Sequence, residues 1–233
     1  MKKWLLILIC LFCFIVNTQF LYAEILQKEI TAKQAVTLLM DGNKRFITAK
    51  SVHPNSDSKQ RVKIAKEGQK PFATILTCSD SRVPPELLFD RGFGDIFVIR
   101  IAGNIANIDE IGSIEYGVEH LGTPVIIVLG HTKCGAVTAV VKKIAADENI
   151  MALLENIRPS VIKAMTKKPA LNGDALIDEA VKLNIFQSID DIYKNSEIIR
   201  EKVKEGKLKI ISALYNIETG KVTLLETDLN QHN

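Results

Sequence analysis

The chain is poor in cysteine and aromatic residues, and what it lacks narrows the possible classes of protein. Its 233 residues include four cysteines, one tryptophan and only 6% aromatic residues. It has no internal repeat, no low-complexity tract and no long linker rich in glycine, serine or proline, which argues against a repeat protein and a disordered chain. Hydrophobic residues make up 47% and charged residues 24%, a balance typical of one compact globular domain.

Two common kinds of binding site are also missing. The lysines after Lys142 alternate with acids and form no basic stripe with aromatic residues, so no nucleic-acid partner is expected. The segment Arg91–Asp95 contains a Gly-x-Gly pair, but it precedes a predicted strand, lacks a third glycine and opens no helix. A dinucleotide site is therefore not predicted.

The first 23 residues have the pattern of a secretory signal. Two lysines precede an uncharged apolar run, Trp4 to Val16, and Leu21-Tyr22-Ala23 is a possible cleavage site. We expect residues 1–23 to be removed and residues 24–233 to form the mature domain, periplasmic or secreted, with no membrane segment left. Because the removed segment carries two lysines and no acid, the net charge would fall from +3 to +1. An uncleaved membrane anchor is the less favoured alternative, since uncharged residues continue for nearly the ~20 that cross a bilayer.

Export would leave two cysteines in the mature chain. Cys10 and Cys13 lie in the removed segment, and Cys78 and Cys134 remain. Two cysteines of an exported protein form a disulfide by default. A Cys78–Cys134 disulfide therefore stays open as an alternative to a metal site.

Strand-like and helical patterns alternate along the mature chain. Short β-rich runs predict strands at Phe72–Thr77, Ile96–Arg100, Val125–Leu129 and Lys209–Leu214, with an edge strand at Lys221–Glu226. Helical spacing predicts helices at Thr31–Lys50, in a charged stretch up to Glu67, and at Pro84–Phe89, Ile108–Leu121 and Ala136–Ala146. This alternation predicts an α/β fold: a single domain with a central, mainly parallel β-sheet flanked by helices.

The segment 148–205 has several helical stretches, one of them opening at Ser196 and ended by Gly206, and no catalytic signature. We interpret it as packing and oligomer surface.

Three residues with metal-binding side chains follow the predicted strands. Cys78 comes directly after one strand, and His131, 53 residues further on, closely follows another. Carboxyl ends of parallel strands line one crevice, so the two side chains can meet there. Cys134 is expected in the first turn of the next helix, which favours a thiolate. Two thiolates and an imidazole suit zinc, and three protein ligands leave a fourth position for a water whose pKa the metal lowers to about 7.

Asp80 and Arg82 follow Cys78 at alternate positions, so both could lie beside the metal. A carboxylate this close could occupy the fourth metal position itself. A bidentate salt bridge to Arg82 would hold it aside and leave it to accept a hydrogen bond from the nucleophile. Arg82 is thus expected to decide whether the site is open.

Two stretches carry a family resemblance: Cys78-Ser79-Asp80-Ser81-Arg82 with Val83-Pro84, and Gly130-His131-Thr132-Lys133-Cys134-Gly135. They resemble the two signatures of β-class carbonic anhydrases, in the same order and at a matching separation, and the likeness extends over about residues 35–225. The resemblance implies one zinc ion per chain, bound by Cys78, His131 and Cys134. Asp80 would be the conditional fourth ligand or hydroxide acceptor, with Arg82 as its partner. The implied reaction is reversible hydration of carbon dioxide to bicarbonate and a proton, by attack of zinc-bound hydroxide.

The same resemblance implies substrate contacts and an assembly. Gln69 would contact substrate through its amide and Gly135 through its backbone N–H, while Phe97 and Tyr116 would shape a small apolar pocket for carbon dioxide. A homodimer or tetramer with active sites at the subunit interface is also implied.

Two other functions remain open at this point. The same metal could act on carbon disulfide or carbonyl sulfide, which are also small, linear and apolar, so that only access would distinguish the substrates. A noncatalytic bicarbonate- or zinc-binding protein would result if Asp80 closed the metal permanently, but the presence of Arg82 argues against this.

Overall fold

The computed structural model describes residues 30–225 of the chain. The predicted signal, residues 1–23, lies outside the described residues, and so does the segment 226–233. Within residues 30–225, no helix combines the length and the apolar character needed to cross a membrane.

One five-stranded sheet forms the centre of the described chain, with the spatial order β2-β1-β3-β4-β5. Four strands are parallel and the last is antiparallel to its neighbour: β1 (Ala73–Thr77), β2 (Ile96–Arg100), β3 (Val125–His131), β4 (Lys209–Tyr215) and β5 (Val222–Leu224). Every residue of β1 and β3 is buried, as expected for strands covered on both faces. The predicted mainly parallel sheet is confirmed.

Helices cover the two faces of this sheet. They are α1 (Ala32–Ile47), α2 (Ser58–Glu67), α3 (Pro85–Leu88), α4 (Ile108–Glu115), α5 (Gly135–Val141), α6 (Glu148–Glu155), α7 (Arg158–Lys167), α8 (Gly173–Asn195) and α9 (Glu197–Lys204). Side chains alternate along the strands, so Leu76 and Val128 belong to a core that includes residues of α8. Ile75 and Ile127 belong to a second core, which includes residues of α1.

Several predicted elements end at other residues than expected. The strand from Val125 continues to His131, so the histidine is the last residue of β3. The helix predicted at Ala136–Ala146 is the shorter α5, and the chain after it takes a positive φ of 52° at Lys143. The helix predicted at Ile108–Leu121 is α-helical only to Glu115. It continues as a π-helical turn, Tyr116–His120, closed by a hydrogen bond from Leu121 N to Tyr116 O.

A buried carboxylate joins the end of α1 to the loop that follows it. Asp90, whose side chain is fully buried, accepts a hydrogen bond from Arg45 Nε at 2.5 Å. It also accepts from the backbone N–H groups of Val52 at 3.1 Å and His53 at 2.9 Å. These bonds fix the polar loop against the chain segment that follows α3.

Candidate metal centre

Two neighbouring parallel strands and one helix start bring three potential ligands together. In the pairing of β1 with β3, Thr77 lies opposite Leu129. Cys78 follows β1 directly, and His131 is the last residue of β3. Cys134 is the N-cap residue of α5, one position before the helical turn in which it was expected. One ligand atom from each of the three residues lies within 4.8 Å of the other two.

The three side chains are buried and their donor atoms suit a metal ion. The exposed fractions are 4% for Cys78, 1% for Cys134 and 0% for His131, and both thiols are free, so the disulfide alternative is wrong. His131 Nδ1 lies 2.9 Å from the carbonyl oxygen of Thr132, whereas its buried Nε2 has no hydrogen-bond partner. A metal-binding histidine has this arrangement: one ring nitrogen contacts a backbone carbonyl, and the other has no protein partner and faces the remaining ligands, here two sulfurs. The residues therefore fit a zinc ion.

The two thiols depend on each other for their protonation. A hydrogen bond from Cys134 holds the pKa of Cys78 well below its ordinary value, with further help from His131 and the backbone N–H of Gly103. The same contact with Cys78, together with burial, raises the pKa of Cys134. The protein alone thus favours one thiolate and one thiol. A bound divalent cation would favour loss of the second proton.

Asp80 lies next to this cluster and is bound by Arg82. The guanidinium donates from Nε to Asp80 Oδ1 at 2.9 Å and from Nη2 to Oδ2 at 2.7 Å. These hydrogen bonds hold the pKa of Asp80 well below its usual range. Oδ2 also lies 3.9 Å from His131 Nε2. The carboxylate is therefore close to the predicted metal position while both of its oxygens are bonded to arginine.

The loop that carries Cys78 and Asp80 is held by the end of β2. Arg100 donates from Nε to the carbonyl oxygen of Cys78 at 3.1 Å and from Nη2 to that of Asp80 at 2.6 Å. Ser79 N donates to Ile101 O at 3.2 Å. Arg100 is not among the site residues predicted from the sequence, because nothing in a sequence indicates which carbonyls an exposed arginine will contact.

The predicted substrate-contacting residues fall into two groups. Gly135 is the first residue of α5 and directly follows Cys134, one of the three predicted ligands. Phe97 lies opposite Thr74 in the pairing of β1 with β2, and Thr74 precedes Cys78 by four residues, or about 13 Å of strand. The Tyr116 ring packs on Phe97 with centroids 5.9 Å apart and is 48% exposed. Gln69 is exposed in the loop before β1. Within one chain Gln69, Phe97 and Tyr116 thus lie toward the amino ends of the strands, away from the cluster of Cys78, His131 and Cys134.

A mainly parallel sheet with two thiols and an imidazole at its carboxyl edge defines an α/β metal-binding protein. Residues 73–222 match the family model described as carbonic anhydrase. Carbonic anhydrase 2 of Mycobacterium tuberculosis is 35% identical over 190 residues, which cover 80% of this chain and 89% of that protein.

Solved structures give the same result. The β-carbonic anhydrase CcaA superposes with a TM-score of 0.67 at 29% identity, over 82% of this chain and 87% of that one. A tetrameric β-carbonic anhydrase of the ascomycete Sordaria macrospora has the same fold, with a TM-score of 0.67 at 23% identity, over 80% of this chain and 94% of that one. The chain belongs to the β-carbonic anhydrase family, and the resemblance seen in its sequence is confirmed.

Proposed function

We propose that this chain catalyses the zinc-dependent, reversible hydration of carbon dioxide to bicarbonate and a proton. The observation that carries the proposal is the convergence of Cys78, His131 and Cys134 within 4.8 Å, beside a carboxylate that an arginine binds through both oxygens. Membership of the β-carbonic anhydrase family supports the same reaction.

The three buried ligands would hold one zinc ion per chain. Their two sulfurs and one imidazole nitrogen form a borderline-soft set that suits this metal. When bound, zinc acts as a Lewis acid and lowers the pKa of a coordinated water to about 7, so that a nucleophile is present at neutral pH.

The other residues of the site position the reactants. Arg82 holds Asp80 aside, and the carboxylate is then free to accept a hydrogen bond that orients the nucleophile. The backbone N–H of Gly135, at the start of α5, is available to donate to a substrate oxygen as negative charge develops there. Arg100 fixes the loop between the two functional residues Cys78 and Asp80.

A second copy of the chain would complete the substrate pocket. Gln69, Phe97 and Tyr116 lie toward the amino ends of the strands, whereas the metal ligands lie at the carboxyl ends. β2 is an edge strand of the described sheet, and Phe97 on it is only partly buried although its side chain is apolar. These features support a homodimer or tetramer in which Gln69, Phe97 and Tyr116 of one protomer face the metal of its partner.

The proposed location is the periplasm or the exterior of the cell. It rests on the signal-like pattern of residues 1–23. Zinc would also protect the two free thiols from forming a disulfide in an oxidising compartment.

The reaction is tested on the chain expressed with its N-terminal segment and purified. We expect about one zinc per chain, accelerated hydration in a stopped-flow assay, loss of activity on chelation and recovery when zinc is returned. Protein that holds zinc without accelerating hydration would overturn the proposal. Carbon disulfide and carbonyl sulfide, tested on the same preparation, then show whether the substrate is a sulfur analogue.

A further inference from the structure

The sulfur of Cys78 accepts a hydrogen bond from the backbone of a neighbouring turn. Gly103 N lies 3.2 Å from Cys78 Sγ, within the short 3₁₀ turn Ala102–Asn104 that follows β2. Gly103 and Asn104 both have positive φ values, of 74° and 47°. The positive φ favours glycine at position 103, and a Cβ there would also displace the end of the Ile157 side chain, whose Cδ1 would lie 2.5 Å away.

The opposite side of this turn is bonded to α8. Asn184 Nδ2 donates to the carbonyl oxygen of Gly103 at 2.7 Å, and Ser188 Oγ donates to that of Asn104 at 2.8 Å. The two side chains stand four residues apart, on one face of the helix. Asn184 is 1% exposed and Ser188 is 2% exposed. The same turn thus provides both the N–H that contacts the Cys78 sulfur and the carbonyl oxygens that accept hydrogen bonds from α8.

The same helix also contacts the strand that carries His131. A Cβ at Gly130, the residue before His131, would lie 2.6 Å from Ile185 Cδ1. Ile185 directly follows Asn184 in α8. The helix therefore packs against both chain segments that place metal ligands.

Packing alone does not account for the two polar side chains. The face of α8 toward the core is otherwise rich in buried apolar residues such as Ile185 and Ile189, and apolar contacts alone would attach the helix to the sheet. A buried polar side chain is costly unless it is hydrogen-bonded. Here the amide of Asn184 is directed at the turn whose N–H contacts the Cys78 sulfur. The single hydroxyl proton of Ser188 lies closer to Asn104 O of this turn, at 2.8 Å, than to Asn184 O of its own helix, at 3.0 Å.

We propose that Asn184 and Ser188 are positioning residues of the metal centre, which hold the Gly103 N–H against the sulfur of Cys78. An N–H directed at a thiolate withdraws charge from the sulfur and fixes its orientation, so it affects both metal affinity and the charge that the sulfur donates to the metal. The inference rests on the proposed function only in taking Cys78 as a zinc ligand.

The test uses Asn184→Ala and Ser188→Ala in the full chain, with Ser160→Ala as the matched control. Ser160 is also a buried serine in a helix packed on the same core, at 1% exposure, and its Oγ has no hydrogen-bond partner among the described residues. Removing it changes the packing as much as Ser188→Ala does but leaves the Gly103 turn intact. Zinc affinity is measured by competition with a chelator, and the thiolate-to-metal charge-transfer band is recorded after cobalt substitution.

We expect Asn184→Ala and Ser188→Ala to weaken zinc binding about 10-fold or more and to shift the charge-transfer band, while Ser160→Ala changes neither. Unchanged affinity and an unchanged band in both site variants would overturn the inference, and so would an equal loss in Ser160→Ala. Should Asn184→Ala not fold, Ser188→Ala decides alone. The parent protein is measured first. If the parent does not bind zinc, the proposed function is refuted. If the parent binds zinc and the variants bind it equally well, only this inference is refuted.

Discussion

Arg82 binds Asp80 through two parallel hydrogen bonds, and the same carboxylate lies 3.9 Å from the unpartnered Nε2 of His131. The guanidinium therefore determines how much of the carboxylate is available to a metal ion at the neighbouring cluster. Lysine could not reproduce this geometry, since its ammonium is a point charge without a planar fork.

Replacing Arg82 tests this relationship. In Arg82→Ala the carboxylate loses both side-chain donors and keeps the backbone N–H of residue 82, which donates to Oδ1 at 3.0 Å. Oδ2 is then released toward the metal, so we expect hydration activity to fall about tenfold or more with zinc retained. Stopped-flow rates and zinc content are measured on the same samples. Arg158→Ala is the matched control, because Arg158 forms a similar two-bond pair with Glu155 at 2.7 and 2.6 Å on the surface. Loss of zinc from Arg82→Ala, or equal loss of activity in the control, would contradict the assigned role.

Removing a ligand should have the opposite effect on metal content. Cys134→Ala leaves one sulfur and one imidazole, which is too few ligands to retain zinc through dialysis against a chelator. We expect the variant to lose its zinc and its activity together, as measured by metal analysis and stopped-flow assay. A fully zinc-loaded Cys134→Ala protein would show that another residue is the third ligand.

Active-site complementation tests the shared pocket. Cys134→Ala and Gln69→Ala chains, each inactive or impaired alone, are co-expressed with different tags and the mixed oligomer is purified. If Gln69 serves the partner's metal, one kind of site in the mixed oligomer combines an intact cluster with an intact Gln69, and activity should rise well above that of either parent. If Gln69 serves its own chain, every site carries a defect and no recovery follows, which would contradict the proposed arrangement.

The buried Asp90 makes a pH-dependent contribution to stability. Burial opposes its ionisation, but hydrogen bonds from Arg45, Val52 and His53 outweigh this and lower its pKa. Because the folded pKa is depressed, the contribution is complete above the ordinary carboxyl pKa of about 3.9 and is lost as the pH falls through the folded value. We expect Asp90→Asn to lower the free energy of unfolding by about 2 kcal/mol at neutral pH, with a smaller difference below pH ~4.

Denaturant titration at neutral and acidic pH measures this difference. The control is Asp41→Asn, at an exposed acid in the same helix as Arg45, which should change the free energy by less than about 0.5 kcal/mol. A difference for Asp90→Asn that grows on acidification would show that the sign is wrong.

The sheet and the ligand cluster could be predicted because both depend on local patterns. Buried parallel strands are apolar throughout, and residues that follow them at the carboxyl edge must lie in one crevice, so Cys78 and His131 could be paired from the sequence alone. The ends of elements were less predictable. The helix after Cys134 stops at Val141 although its apolar pattern continues to Ala146. The chain turns out of the helix at Lys143, whose φ is 52°, and Ile144 N donates to Ala139 O across this turn. A lysine at such a position gives no sequence signal, because glycine is the usual residue there.

The surroundings of the cluster could not be predicted in the same way. The sequence of the segment 148–205 indicates only packing and oligomer surface, yet Asn184 lies in this segment and donates a hydrogen bond to the turn beside Cys78. This contact spans 81 residues between Asn184 and Gly103 and depends on the positive φ of Gly103. A helical asparagine has no sequence signal that distinguishes such a bond from a solvent-exposed side chain.

X-ray absorption spectroscopy of the zinc-loaded protein identifies the atoms bound to the metal. We expect two sulfur neighbours at about 2.3 Å and one imidazole nitrogen at about 2.0–2.1 Å from the zinc ion. A spectrum with one sulfur or none would contradict this expectation, because the metal would then not be held by Cys78, His131 and Cys134 together.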